Sequence, residues 1–269
     1  MGQLSWSAPH ERAEGELLVR RAPGAVEVTF NRPERLNAFT ERMYEELLAL
    51  CAEVAVDRSV RVVVFRGAGG RAFAAGSEIS LFSDFRSGGE GIAYEAQIRR
   101  VLGAIAALPQ VTVAAVDGIC VGGGLAVASS CDLRICSPES RFGIPIARTL
   151  GNALSASIVL RCVEVFGDGL TREMLLASRL VSADRAYAVG AVMAVVPGGS
   201  LEAEVASIID GVRQSSRVTI EVTKEQLHGG AAGHDAAADD ARMAKAYGGE
   251  DFREGVRAFL AKEKPQFGE

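Results

Sequence analysis

The sequence is poor in histidine, the residue most often found in charge-relay triads and transition-metal sites. Its three histidines, His10, His228 and His234, lie towards the two ends of the 269-residue chain. This placement argues against a Ser-His-Asp hydrolase and against a histidine-ligated metal site. We therefore expect neither a metal ion nor a permanently bound cofactor.

Cysteine is also sparse and is not arranged for cross-linking. The five cysteines, an odd number, lie in apolar surroundings and include no CxxC pair. This pattern is typical of reduced thiols in a cytoplasmic protein. Cys120 lies next to the glycine turn and is the one candidate nucleophile among them, but no histidine lies near it in the sequence. We interpret it as buried filler.

Long apolar runs and an excess of positive charge are both missing. The longest apolar candidate, residues 111–130, is interrupted by Asp117 and four glycines, whereas a membrane span needs about 18 uncharged residues. Residues 1–13 lack the apolar core of a signal peptide, and we expect a loose N-terminal arm there. The net charge of −5 argues against a general nucleic-acid surface. We expect neither a membrane nor a nucleic-acid partner.

Two glycine-rich segments, residues 72–79 and 118–124, are the most informative feature that is present. They follow the apolar, β-branched runs at 62–65 and 111–116, so each is predicted to end a buried strand in a tight turn. Glycine lets the backbone turn so that its N–H groups point at a ligand oxygen. Two such turns side by side would form an oxyanion hole from backbone alone. The chemistry that this predicts is polarisation of a carbonyl, with a thioester favoured.

Two other readings of the glycine triplet fail on its spacing. A P-loop needs Lys-Ser or Lys-Thr after its last glycine, but Leu125 and Ala126 follow Gly124. A dinucleotide fingerprint needs a further glycine three positions later, where the chain has Val127. The triplet is therefore not predicted to hold nucleotide phosphates.

Hydrophobic periodicity predicts an α/β core followed by helices. A hairpin is expected at residues 17–30, turning at Pro23-Gly24, and a helix at 37–55 with Thr40 as its N-cap. Residues 80–90 are expected to be a mobile loop, and 229–233 a flexible link. Further strands are predicted at 61–66, 111–116, 133–136 and 193–196. Further helices are predicted at 93–108, 124–131, 153–166, 171–177, 182–189, 201–215, 219–227, 235–247 and 251–262. We expect strand–strand–helix turns stacked in a spiral over residues 14–200 and a helical region over 201–269.

The order of these segments resembles the crotonase (enoyl-CoA hydratase/isomerase) superfamily. The likeness covers roughly residues 14–267 and is carried by residues 31–38, 72–79, 118–132, 142–145, 190–192 and 252–259. The resemblance implies a spiral fold. It also implies C-terminal helices that pack between the subunits of a homotrimer or homohexamer.

The resemblance assigns the oxyanion donors and a site for coenzyme A. The donors would be the backbone N–H groups of Ser77 and Gly123, the latter at the start of a predicted helix, whose dipole favours an anion. Coenzyme A, as part of the substrate, would lie on Glu34, Arg35, Leu36, Ala38, Ala74, Gly76, Glu78 and Ile79. Lys262 and Lys264 would face the nucleotide phosphates; the alternative is a solvated helix end.

The chain departs from the family where hydratases carry two catalytic glutamates. Those positions are Ala126, two residues after the glycine triplet, and Ile146, just after the Phe-Gly-x-Pro element. Neither side chain can move a proton, which argues against standard hydration. Arg148, neutralising a substrate carboxylate, and Asn152, orienting a water or acyl oxygen, are candidate replacements; the alternative for both is loop structure.

Two acidic residues beside the first glycine turn, Glu78 and Asp84, are further candidates for an acid, although capping or solvent exposure is the expected role. The predicted function is an acyl-CoA enzyme that stabilises a thioester enolate, with isomerisation, decarboxylation or C–C cleavage as the reaction. The alternative is a non-catalytic acyl-CoA-binding or scaffold homologue.

Overall fold

The structure, a computed structural model, describes residues 4–229 and 235–268. Its strands are β1 (His10–Arg12), β2 (Leu17–Ala22), β3 (Ala25–Phe30), β4 (Val62–Gly67), β5 (Ala72–Ala74), β6 (Val111–Val116), β7 (Ile119–Val121), β8 (Leu133–Cys136), β9 (Arg141–Gly143), β10 (Val181–Ser182) and β11 (Ala194–Val195). Its helices are α1 (Glu41–Val56), α2 (Gly88–Ala106), α3 (Gly123–Ser130), α4 (Ile146–Thr149), α5 (Ala156–Leu176), α6 (Ala183–Ala188), α7 (Leu201–Arg213), α8 (Arg217–Gly229), α9 (Ala236–Tyr247) and α10 (Glu250–Ala261). Residues 230–233 of the predicted link lie outside the described residues.

The strands form two sheets that the chain visits in turn. The larger sheet has the order β1-β2-β3-β4-β6-β8-β11, and the smaller one has the order β10-β9-β7-β5. Each pass runs through one strand of the larger sheet, one of the smaller sheet and then a helix: β4-β5-α2 and β6-β7-α3 are two successive turns. The strands within this repeat pair in parallel. The predicted spiral of strand–strand–helix turns is confirmed.

The central strands of the larger sheet are apolar on both faces because both faces are covered. Side chains alternate along β4, so Val62 and Val64 pack with α7, while Val63 and Phe65 pack in the main core with α1, α2 and α3. This layering explains why residues 62–65 read as a continuous apolar run. It also fixes the smaller sheet and its turns against the edge of a rigid core.

The first long helix begins later than predicted. It starts at Glu41 instead of residue 37, and the predicted N-cap is confirmed because the Thr40 hydroxyl accepts a hydrogen bond from the Met43 N–H. The preceding residues cannot be helical because Leu36 and Asn37 have positive φ, 50° and 57°. The Asn37 amide stabilises that turn by donating to the carbonyls of Ala68 and Ala72.

The segment predicted as a mobile loop at 80–90 is regular at both ends. Ile79–Phe82 forms a 3₁₀ turn, and α2 begins at Gly88, five residues before the predicted start. A capping box explains the early start: the Glu90 carboxylate accepts the Ser87 N–H at 2.6 Å, and the Ser87 hydroxyl caps the first turn. The two glycines, 88 and 89, masked this helix in the sequence.

Two further expectations differ from the structure. Predicted helices 153–166 and 171–177 are one element, α5, bent where Gly167 adopts φ 75°. The N-terminal arm is not loose throughout, because His10–Arg12 pairs antiparallel with Leu17–Val19 of β2.

The C-terminal helices begin where predicted to within a few residues. A buried ion pair joins α8 to the core: the Lys224 ammonium donates to the Asp132 carboxylate at 2.5 Å and to the Gln110 carbonyl at 2.6 Å. Asp132 also accepts the N–H and the hydroxyl of Thr112 in β6. Within residues 4–229 and 235–268, no helix combines the length and apolar character that a membrane span requires.

Candidate functional site

The two glycine-rich turns lie side by side. They follow β5 and β7, which pair in parallel through Ala74 and Cys120, so both strands end at the same edge of the smaller sheet. Gly76 and Gly122 have φ of 94° and 55°, a conformation that favours glycine. A methyl group built on Gly76 would lie 3.6 Å from the Gly123 nitrogen. The structure therefore brings together the two turns that the sequence singled out.

The backbone N–H groups of Ser77 and Gly123 are left available at this edge. On either side of Ser77, Phe39 donates to the Gly76 carbonyl and Glu78 donates to the Phe39 carbonyl, both at 2.8 Å. Gly123 is the first residue of α3, where an N–H has no partner within its own helix. Neither N–H has an acceptor among the described residues. Two unpaired donors, one of them at a helix N-terminus, can stabilise an oxyanion.

A chain of three hydroxyl groups adjoins these donors. The Ser77 hydroxyl lies 2.8 Å from the Tyr44 hydroxyl and 2.5 Å from the Tyr94 hydroxyl. The Tyr44 oxygen also adjoins Gly123, since a methyl group built there would lie 2.6 Å from it. Tyr44 is 1% exposed and Tyr94 is half-buried. Burial raises the pKa of Tyr44 well above its usual range and also raises the pKa of Tyr94, so both are neutral at physiological pH.

Sequence reasoning missed both tyrosines, although a signal was present. Tyr44 stands on the same helical face as Leu47 and Cys51, and Tyr94 on the same face as Ile98. A tyrosine on a buried helical face needs a hydrogen-bond partner for its hydroxyl. Two such positions flanking the Gly76-Ser77 turn in sequence would have pointed to Ser77 as their shared partner.

The two segments predicted to hold coenzyme A are in direct contact. The Ala75 N–H donates to the Leu36 carbonyl at 3.0 Å, and the Arg32 guanidinium donates to the Ala38 carbonyl and the Glu78 carboxylate. Of the predicted binding residues, Glu34, Arg35 and Ile79 are exposed, Leu36 and Glu78 are half-buried, and Ala38, Ala74 and Gly76 are buried. They form one continuous rim of backbone beside the glycine turns. Their contact with coenzyme A stays a prediction.

The other predicted residues are Lys262 and the two candidate acids, Glu78 of the rim and Asp84. Lys262 is exposed at the C-terminal end of α10, a helix that packs on α9. The Glu78 carboxylate is 3.0 Å from Arg32 in an ion pair, and the Asp84 side chain is 96% exposed. These partners support the structural roles expected for the two acids.

Ala126 and Ile146, the two positions predicted from the resemblance to correspond to hydratase glutamates, carry apolar side chains. Ala126, 4% exposed, is one turn along α3 from Gly123 and lies on the wall of a cavity of about 350 Å³ between α2 and α5. Ile146 opens α4 and packs partly buried against the core. Neither position supplies a proton donor or acceptor.

A second cavity, of about 590 Å³, opens beside the hydroxyl chain. Tyr94 lines it together with Phe82, Phe85, Glu95, Arg99, Leu150 and Asn152. Of the two predicted replacement residues, Asn152 therefore lies in this cavity, whereas the Arg148 guanidinium is directed at the Ser178 carbonyl, 3.4 Å away. Glu95, which the sequence reasoning also missed, accepts the Ser155 N–H at 2.8 Å.

Other reactive groups do not converge on the site. Cys120 is fully buried, and burial raises the pKa of its thiol well above the usual range, which suits filler better than a nucleophile. Across the described ranges, 4–229 and 235–268, no three His, Cys, Asp or Glu side chains are grouped so as to hold a metal ion.

Comparisons with known proteins agree with this architecture. Residues 20–269 match the family model for enoyl-CoA hydratase/isomerase. A putative enoyl-CoA hydratase of Thermus thermophilus is 32% identical over 93% of this chain and 100% of its own length. A mevalonyl-coenzyme A hydratase of Aspergillus fumigatus is 31% identical over 96% of both chains. The crystal structure of an enoyl-CoA hydratase/carnithine racemase from Magnetospirillum magneticum superposes with a TM-score of 0.88 at 31% identity, covering 94% of this chain and 95% of that one. These matches show that the chain belongs to the enoyl-CoA hydratase/isomerase family, the crotonase superfamily that its motifs resemble.

Proposed function

We propose that this protein is an acyl-CoA enzyme that holds the thioester oxygen between the N–H groups of Ser77 and Gly123 and reacts through a thioester enolate. The observation that carries the proposal is the pair of unpaired donors at the adjoining ends of β5 and β7. Family members act on CoA thioesters, and such an oxygen becomes negative when the enolate forms. One preorganised donor of this kind lowers a reaction barrier by about 3–4 kcal/mol.

The reaction is proposed to differ from standard hydration. Hydration needs groups that take a proton from water and give one to the α-carbon, and Ala126 and Ile146 offer neither. Enolate chemistry that does not need both groups, such as isomerisation, decarboxylation or C–C cleavage, fits the site better. The relatives named as hydratases do not decide this point for the present chain.

A non-catalytic acyl-CoA-binding or scaffold protein is the second candidate. The apolar side chains of Ala126 and Ile146 favour this second candidate. They cannot transfer protons, whereas the backbone groups proposed to bind the thioester are present. Turnover of any acyl-CoA that is lost when the oxyanion site is blocked would favour the enzyme over this candidate.

Assembly into a homotrimer or homohexamer is proposed from the C-terminal helices. One face of α10 is apolar and open, with Phe259 84% and Leu260 77% exposed, beside a groove of about 620 Å³ shared with α8 and α9. An apolar face of this kind is usually covered by another chain. Light scattering of the intact protein should give three or six times the 28.3 kDa monomer mass. A monomer mass would contradict the proposal.

Acyl-CoA binding is the test of the function itself. Titration calorimetry with acetyl-, butyryl- and crotonyl-CoA should detect binding by the wild-type protein. The same preparation should hydrate crotonyl-CoA far below the usual enzymatic kcat of about 1–10³ s⁻¹. No binding of any acyl-CoA at millimolar concentration would refute the proposed function.

A further inference from the structure

The hydroxyl chain next to the oxyanion donors has no part in the function proposed so far. Resting on that function, we propose that Tyr94 is the catalytic acid of the site and delivers its hydroxyl proton to the α-carbon of the thioester enolate. Ser77 and Tyr44 are positioning residues that hold and orient the Tyr94 hydroxyl.

Counting protons gives the chain a direction. Three hydroxyls carry three protons, and the two hydrogen bonds through Ser77 use two of them. Tyr44 is almost fully buried, and within the described residues Ser77 is the partner of its hydroxyl. In the proposed arrangement Tyr44 donates to Ser77, because a buried donor left unpaired is unfavourable, and Ser77 donates to Tyr94. The third proton then belongs to Tyr94.

The spare proton is on the residue that reaches the open cavity. Tyr94 lines the 590 Å³ cavity, and its ring is fixed by edge contacts with Phe82 and Phe85 at centroid distances of 5.0 and 6.3 Å. Tyr44 lines neither this cavity nor the one beside Ala126. Of the two tyrosines, Tyr94 therefore lies on the wall of a cavity that a substrate can enter.

Ser77 joins this hydroxyl to the oxyanion site. Its N–H is the proposed donor to the thioester oxygen, and its side-chain oxygen is 2.5 Å from the Tyr94 hydroxyl. The α-carbon of an enolate is two bonds from that oxygen. An acid held by Ser77 is thus fixed next to the atom that must be protonated, which is the positioning that general acid catalysis needs.

Both tyrosines are protonated near neutral pH, since burial raises the pKa of each. A protonated phenol can give a proton but cannot take one. The charged groups lining the same cavity are Glu95 and Arg99. The Glu95 carboxylate accepts the Ser155 N–H at 2.8 Å. With Tyr94 as the acid and no base within the hydroxyl chain, the site suits reactions in which breaking a C–C bond, not removing a proton, creates the enolate.

The substrate class that follows is a 2-carboxyacyl-CoA. The bond between the α-carbon and the carboxylate breaks, carbon dioxide leaves, and the electron pair passes into the enolate held by Ser77 and Gly123. The enolate collapses to the thioester as its α-carbon takes the proton of Tyr94. Water in the open cavity then returns a proton to the Tyr94 phenolate, so one proton from water is consumed per turnover.

Glu95 is the competing group, because its carboxylate lines the same cavity. If Glu95 were the proton-transfer residue, its removal would be the more damaging change. Comparing Tyr94→Phe with Glu95→Gln therefore separates the two assignments. Tyr94→Phe keeps the ring that packs on Phe82 and Phe85 and removes one oxygen.

The experiment measures decarboxylation of malonyl-CoA and methylmalonyl-CoA by the intact protein. The wild type should release acetyl-CoA and propionyl-CoA, and Tyr94→Phe should slow this by at least about a hundredfold, the lower range for a lost general acid. Calorimetric affinity for acetyl-CoA should be unchanged in this variant. In D₂O, the wild type should deliver one deuterium to a single face of propionyl-CoA, and the variant should lose that selectivity.

Tyr187→Phe is the matched control, because Tyr187 is an exposed tyrosine on α6, and it should behave as the wild type. Tyr94→Phe within threefold of wild-type turnover, or a larger loss in Glu95→Gln, would overturn the assignment of Tyr94. So would absence of decarboxylation by a wild type that binds acetyl-CoA. Absence of acyl-CoA binding would instead overturn the proposed function on which the assignment rests.

Discussion

The two sides of the candidate site differ because one consists of backbone groups and the other of side chains. One side consists of backbone N–H groups, at Ser77 and Gly123, fixed by strand pairing and by a helix start. The other side consists of the side chains of Ala126 and Ile146, the positions at which the resemblance to the family predicts hydratase carboxylates. A donor set by the backbone persists through most substitutions, whereas a side-chain group disappears with one. The fold can therefore keep carbonyl polarisation while the proton chemistry changes.

Family membership and the particular reaction depend on different parts of the chain. Belonging to the enoyl-CoA hydratase/isomerase family follows from the whole chain, and it supports thioester chemistry in general. We propose that the particular reaction depends on a few side chains around Gly123, and these include the hydroxyls of Tyr44 and Ser77.

The largest expected effect comes from restoring the missing carboxylates. The double variant Ala126→Glu, Ile146→Glu should raise crotonyl-CoA hydration by about 10² to 10⁴ over the wild type, the range for general acid–base groups. The cavity beside Ala126, about 350 Å³, has room for the longer side chain. The rate of hydration is measured as the loss of the enoyl thioester absorbance.

The matched control is Ala126→Gln, Ile146→Gln, which has the same size without the carboxylates and should not gain activity. A wild-type kcat within about 1–10³ s⁻¹ would contradict the contrast, because an acid or base elsewhere would then already serve hydration.

Blocking the backbone N–H donors should lower the wild-type turnover rate by about a hundredfold or more. This is the scale of effect for the loss of one oxyanion donor. Gly123→Val places a branched side chain where a methyl group would already lie 2.6 Å from the Tyr44 hydroxyl. Gly211→Val is the control, since a methyl group there meets nothing within 4 Å. Initial rates on the best substrate check this, and equal rates for both variants would disprove the role of Gly123.

A smaller effect should distinguish Asn152 from Arg148, the two residues that the sequence suggested as replacements for the hydratase glutamates. Asn152 lines the cavity beside Tyr94, whereas Arg148 is directed at the Ser178 carbonyl. Asn152→Ala should change KM or kcat by about threefold to tenfold, the size of one modest hydrogen bond, and Arg148→Ala should change them less. Steady-state kinetics of the two variants check the order, and the reverse order would move Arg148 into the site.

Much of the fold follows from local patterns in the sequence. The apolar runs at 62–65 and 111–116 are strands of a sheet covered on both faces, and the glycines at 76 and 122 mark turns that need positive φ. The Thr40 cap was likewise readable, since a threonine before an amphipathic run predicts a helix start.

The errors have a local and a tertiary origin. Gly88 and Gly89 disfavour a helix, yet the Ser87–Glu90 capping box starts one there. The left-handed turn at Leu36 and Asn37 depends on carbonyls of a later strand, which no local window contains. The partnership of Tyr44, Ser77 and Tyr94 joins residues 17 and 33 positions apart, so only the folded chain brings them together.

A crystal structure of the wild-type protein with a bound acyl-CoA tests the central claim most directly. The account predicts the thioester oxygen about 2.7–3.1 Å from the backbone nitrogens of both Ser77 and Gly123, the range for an oxyanion donor, with the acyl group beside Tyr94. A thioester oxygen bound elsewhere, or turned away from these two nitrogens, would contradict it.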